Sequence, residues 1–180
     1  QAVGLPIATT CLLVLISLCG CATTPRIINM VPGPGNYYPV HCDKSIAVGL
    51  VHGGEESDPM FKGSRISNSQ FKGALVKAMR ETGYAVYESS GGQTDYYLTA
   101  QILTQTQPMA GFDMTVTLRV RYSLRDISNP DFIWQRDVSS SYTATFGEAF
   151  AGAERLNKAN EGAVRKNLKQ FLREFSQLEL

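Results

Sequence analysis

Met114, Val116, Leu118, Val120, Tyr122 and Leu124 alternate with Thr115, Thr117, Arg119, Arg121, Ser123 and Arg125. A period of two over that length predicts a long strand with one face in a core and the other in water. Two more segments read the same way. Tyr96 to Gln105 sets Tyr96, Leu98, Ala100 and Ile102 against Tyr97, Thr99 and Gln101, and Phe132 to Thr145 carries Trp134, Val138 and Tyr142. Pro108-Met109-Ala110-Gly111 and Asn129-Pro130-Asp131 separate the three, so they are expected as an antiparallel meander. Upstream, Lys44 to Val51 is rich in Ile, Val and Leu and ends at Gly53-Gly54, which predicts a buried first strand. Tyr84 to Glu88 predicts a short strand closed by the turn Ser89 to Gly92.

Two segments have helical spacing instead. Phe71, Ala74, Leu75, Ala78 and Met79 form one stripe, preceded by Ser67 with Gln70 three places on and followed by Gly83. That is a capping box at one end and a glycine stop at the other. Leu156, Val164, Leu168, Phe171, Leu172, Phe175 and Leu178 form a second stripe, with Lys158, Arg165, Lys166, Lys169 and Arg173 opposite it. This helix is expected to begin between Gly147 and Asn160 and to run to about Gln177. The element order β-α-β-β-β-β-α predicts an α+β domain, with two helices on one face of a mostly antiparallel sheet of four to five strands.

The start of the chain follows another pattern. Ile7 to Leu18 is an apolar run of about twelve residues containing Thr9 and Thr10, short of the roughly 20 needed to span a bilayer. It closes on Leu18-Cys19-Gly20-Cys21, an aliphatic residue, two further residues and a cysteine, which resembles a bacterial lipobox. The resemblance implies that residues 1–20 are a signal peptide, cut before Cys21. It further implies that the Cys21 thiol takes a diacylglyceryl group and that its new amino terminus is acylated. Three acyl chains at about 0.8 kcal/mol per buried methylene make such an anchor effectively permanent. In Gram-negative lipoproteins an Asp after the modified cysteine commonly marks inner-membrane retention. Ala22 stands there, so the resemblance implies the outer membrane, facing the periplasm.

Residues 21–43 are expected as a lipidated tether, because Pro, Gly, Asn and Thr dominate and Pro32-Gly33-Pro34-Gly35-Asn36 interrupts any period. Fully extended, it would reach on the order of 70 Å. Residues 44–180 are expected as a single domain.

Composition narrows the function more than it identifies it. Lys and Arg total 17 against 16 Asp and Glu, a balance that argues against nucleic-acid binding through a clustered positive field. Of four cysteines, Cys11 and Cys19 leave with the signal and Cys21 takes lipid. Cys42 then stands alone, either as a half-buried small apolar residue or as a thiol that pairs with another chain. His41, Cys42 and His52 lack the spacing of a metal site, so no metal or other cofactor is expected, and His52 is expected to cap the first strand. No serine lies in a Gly-x-Ser-x-Gly turn. Gly53-Gly54-Glu55-Glu56 follows a strand without the Gly-Lys-Ser/Thr of a phosphate loop, and it puts carboxylates where a phosphate needs cations.

The candidate contacts are Arg119, Arg121 and Arg125 on the wet face of the long strand, beside Gln135, Asp137, Ser139 and Ser141 of the next. Such a face is either solvated, with cross-strand Arg–Asp pairs, or a docking surface. The basic stripe of the last helix offers the same choice, toward solvent or toward anionic lipid or an acidic partner. Phe150, among small residues between the last strand and the last helix, is a further candidate for recognition.

From about Lys44 to Leu180 the order of elements resembles the small helix-on-sheet domains of periplasmic assembly lipoproteins, such as the lipopolysaccharide-assembly and curli-secretion lipoproteins. The resemblance rests on the lipobox, the capped helix Ser67–Thr82, the meander and the terminal helix. It implies a non-enzymatic accessory or assembly subunit of an envelope complex, with homo-oligomerisation left open. A binding module for lipid or glycolipid between helices and sheet is the second reading, and an acyl- or glycan-modifying enzyme the third.

Overall fold

The computed structural model describes residues 24–33, 35, 42–54, 65–88, 94–129 and 131–180. The proposed signal peptide and Cys21 lie outside the described residues, as does His41. The fold is α+β: a five-stranded sheet with three helices packed on one side. The strands are β1 (Ser45–His52), β2 (Ala85–Tyr87), β3 (Tyr96–Thr106), β4 (Met114–Asp126) and β5 (Phe132–Ala144), in spatial order β2-β1-β3-β4-β5. The helices are α1 (Ile27–Met30), α2 (Asn68–Thr82) and α3 (Gly152–Phe175).

The meander forms as its alternation predicts. β4 pairs antiparallel with β3 and β5, placing Thr115, Thr117, Arg119, Arg121 and Ser123 opposite Thr143, Ser141, Ser139, Asp137 and Gln135. The N-terminal half adds a parallel part, since β1 lies between β2 and β3 and runs parallel to both, so the sheet is mixed. Between Val48 and Val51 the β1–β3 register shifts, and Leu50 comes out exposed where strict alternation would fail to place it. His52 is the exposed last residue of β1.

α2 starts with the capping box read from its sequence. The Gln70 N–H donates to Ser67 Oγ at 3.2 Å, while the Ser67 N–H donates to Gln70 Oε1 at 3.0 Å. Gly83 ends it with φ of 106°, in the left-handed region that a side chain resists. The core between helices and sheet is filled by aromatic rings. Tyr122 stacks on Phe171 at 4.1 Å, and Trp134 and Tyr84 meet Phe175 edge-on at 5.5 and 5.3 Å. The buried Tyr122 hydroxyl donates to Asn167 Oδ1 at 2.7 Å, and Asn167 Nδ2 donates to the Val138 carbonyl at 2.9 Å. This network satisfies polar groups that burial would otherwise penalise.

Part of the expected tether belongs to this folded body. Residues 27–30 form the single helical turn α1, which rests on α2 and α3 and buries Met30 completely. A buried carboxylate holds it. Glu161 of α3 accepts the Arg26 N–H at 2.7 Å and Asn29 Nδ2 at 2.9 Å, and Gln70 Nε2 donates to the Pro25 carbonyl at 2.9 Å. The tether reading therefore fails over residues 24–33, because a polar position of α3 supplies the acceptor that fixes them.

Candidate docking surfaces

The face of the sheet turned away from the helices carries Thr99, Gln101, Thr115, Thr117, Arg119, Arg121, Arg125, Ser139 and Ser141. The three candidate arginines share this face and differ in what they do. Arg121 grips Asp137 through two bonds, Nε to Oδ1 at 2.6 Å and Nη2 to Oδ2 at 3.0 Å. Arg119 Nη2 adds a bond of 2.7 Å to the same carboxylate. The Arg121 guanidinium, supported by Arg119, pulls the Asp137 pKa down to about 2. Arg125 is apart from this cluster, its guanidinium 4.7 Å above the Tyr97 ring. The Tyr97 ring in turn lies over Gly49, where a Cβ would come within 2.1 Å of it. One end of the face is thus a cation over an aromatic ring, the middle a compact ion cluster, and the far end a ladder of hydroxyls in which Thr115 and Thr143 bond at 2.9 Å.

Phe150 belongs to a second surface, which sequence reasoning reached only through that one residue. At one end of the sheet the β3–β4 turn and the β5–α3 loop come together, bringing Met109, Phe112, Phe146 and Phe150 to the surface. Phe112 and Phe150 are 81% and 82% exposed. Phe146 lies between them, edge-on to both at 6.1 and 5.2 Å. The loops beneath are firmly tied. Arg155, itself buried, donates to the Ala149 and Phe150 carbonyls at 2.7 Å each and to the Gly111 carbonyl at 3.0 Å, with its guanidinium 5.2 Å from the Phe146 ring. Asp113 accepts the Phe146 N–H at 3.2 Å, and Glu148 accepts the Thr145 N–H and the Tyr142 hydroxyl at 2.7 Å each. No single apolar residue in these turns signals the cluster; the pairing of β4 with both neighbours creates it.

The basic stripe of α3 is partly engaged. Lys158 donates to the Glu148 carbonyl, Arg165 to the Asn29 carbonyl at 2.5 Å and Lys166 to the Ser141 carbonyl at 3.0 Å, while Lys169 and Arg173 stay exposed. Cys42 is half-buried, its thiol donating to the Lys44 carbonyl at 3.4 Å, and burial pushes its pKa up. At the opposite end of the sheet an open hollow lies between Lys44, Asp95, Asp126 and Ser128. Its two carboxylates hold turns: Asp95 accepts the Ser45 N–H and hydroxyl, Asp126 those of Ser128, and these bonds lower both pKa values. Among the described residues no three His, Cys, Asp or Glu side chains gather as a metal site, and no helix is long and apolar enough to cross a membrane.

The sequence matches no protein-family model and no curated protein. Solved structures do share its shape. Protein XCC0632 from Xanthomonas campestris, of the DUF330 family, superposes with a TM-score of 0.56 at 14% identity, over 87% of this chain and 97% of the other. A minor lipoprotein from Acinetobacter baumannii (TM-score 0.46, 12% identity, 77% and 93% covered) and lipoprotein GNA1162 from Neisseria meningitidis (0.43, 14%, 75% and 99%) are more distant. The likeness to XCC0632 is one of fold.

Proposed function

We propose that the protein is a non-enzymatic accessory or assembly subunit of a bacterial envelope complex, anchored in the outer membrane through lipid on Cys21 and facing the periplasm. It binds a protein partner through the open face of its sheet. One observation supports this reading most: among the described residues no helix covers one face of the five-stranded sheet, and that face carries ordered Arg, Asp, Thr and Ser side chains. Ordered side chains lose little freedom when a partner docks, which favours recognition. The space between helices and sheet, where a lipid-binding module would hold its ligand, is occupied by Phe71, Tyr122, Phe171 and Phe175, all fully buried.

Native electrophoresis of detergent-solubilised envelope tests the reading. The mature chain is expected in a band well above the mass of a single copy. A double variant, Thr117→Glu with Arg125→Glu, alters two exposed positions of the face and is expected to fold as before yet to leave that band. A wild-type chain that migrates alone, or a variant that stays in the complex, contradicts the proposal.

A further inference from the structure

We propose that the aromatic tip formed by Phe112, Phe146 and Phe150, with the exposed Met109 on the same turn as Phe112, inserts into the outer edge of the bilayer that holds the anchor. The inference rests on the lipid-anchor reading of Cys21. A folded body rarely leaves this many large apolar side chains exposed on two adjoining loops, and such a patch marks a surface that meets a membrane or a partner. These four stand on the tips of two adjacent loops, and Arg155 holds the loops in place from below. Asp113 and Glu148, the carboxylates beside the rings, are engaged by backbone N–H groups of the same loops.

The path of the N-terminal segment selects the bilayer as the occupant. Arg26 is bonded to Glu161, nine residues along α3 from its start at Gly152, or about 14 Å of helix axis from the tip. Asn29 shares Glu161 with Arg26 and accepts from Arg165 one turn further along α3, so α1 runs away from the tip and its first residue is the end nearer to it. Cys21 is five positions before Arg26, within a reach of about 17 Å. An acylated thiol on so short a lead brings the bilayer to the end of the molecule where the rings are. An aromatic cluster at that level sits at the interface depth, about 5–10 Å into the headgroup and acyl boundary, that amphipathic surfaces occupy. Cys21 and the tip then act as two attachments that fix the orientation of the sheet face above the membrane.

The test uses the full lipidated chain, purified in detergent and reconstituted into phosphatidylcholine vesicles brominated near the top of one acyl chain. Trp134, the sole tryptophan, packs on Phe175 at the far end of α3 and serves as the internal baseline. Phe112→Trp and Phe150→Trp each place a second indole at an exposed position. Both are expected to show blue-shifted emission that the brominated lipid quenches, with the unchanged chain unaffected. Vesicle-bound protein whose new tryptophans are not quenched overturns the tip assignment and leaves the anchor intact. Emission that shifts with protein concentration in detergent, and not with lipid, assigns the tip to a second copy of the chain and overturns it as well. A chain that takes up no labelled palmitate and floats with no vesicle overturns the anchor and the tip together.

Discussion

Asp137 shows how a residue on an open sheet face acquires a fixed geometry. It sits directly across from Arg121 and diagonally from Arg119, and both guanidinium groups close on it. Its ordinary value of 3.8 is lowered to about 2, so the folded state favours the ionised form. The stability it contributes is therefore complete above about pH 4 and is lost as pH falls toward 2, where the folded carboxyl is protonated. Asp137→Asn is expected to lower stability at neutral pH by less than about 1 kcal/mol, because the cluster is partly solvated. It is also expected to flatten the acid side of the stability curve between pH 4 and 2. Chemical denaturation across that range checks both, and an unchanged acid slope would show that the cluster contributes nothing there. The sequence already placed all three residues side by side on one face, since strand alternation and hairpin pairing are local. It left open that one carboxylate would serve two arginines and that Arg125 would turn to Tyr97, because both depend on the register across three strands.

At the level of elements, α3 is the piece on which the rest is arranged. Its apolar stripe was legible from spacing, and its polar positions carry information that spacing does not reveal. Arg155 clamps the tip loops, Glu161 holds α1, and Asn167 joins Tyr122 to β5. Each has at least one partner far along the chain, Gly111 in the case of Arg155, so no local pattern announces it. α1 escaped the sequence for the same reason: a single turn has no period to read, and its acceptor is 135 residues away. Gly162 lets α3 lie close against Tyr142 of the sheet. A Cβ there would lie 2.3 Å from Cγ of Tyr142, near the root of the ring and so hard to displace. Gly162→Ala would gain helix propensity of up to about 1 kcal/mol. Overpacking against the ring is expected to cost roughly 1–3 kcal/mol. A net fall in the thermal midpoint is the predicted outcome, and a rise would show that Tyr142 moves freely.

At the scale of the whole molecule, the helices and the core occupy one side of the sheet, the ordered polar face the other, and the aromatic tip one end. The α+β class and the meander were legible because long amphipathic elements declare their buried faces. The parallel placement of β1 between β2 and β3 and the clustering of Phe112, Phe146 and Phe150 were not, since both depend on which strands become neighbours. The proposed arrangement puts the anchor and the tip toward one membrane and leaves the polar face free for a partner. All of it depends on a lipid at the cysteine that closes the apolar leader. Metabolic labelling with palmitate, followed by mass spectrometry of the mature N-terminal peptide, measures this directly. The account predicts a peptide that begins at Cys21 with diacylglyceryl and acyl groups attached, and a Cys21→Ser chain that takes up no label and leaves the membrane fraction. An unmodified Cys21, or a Cys21→Ser chain that remains with the membranes as before, would contradict it.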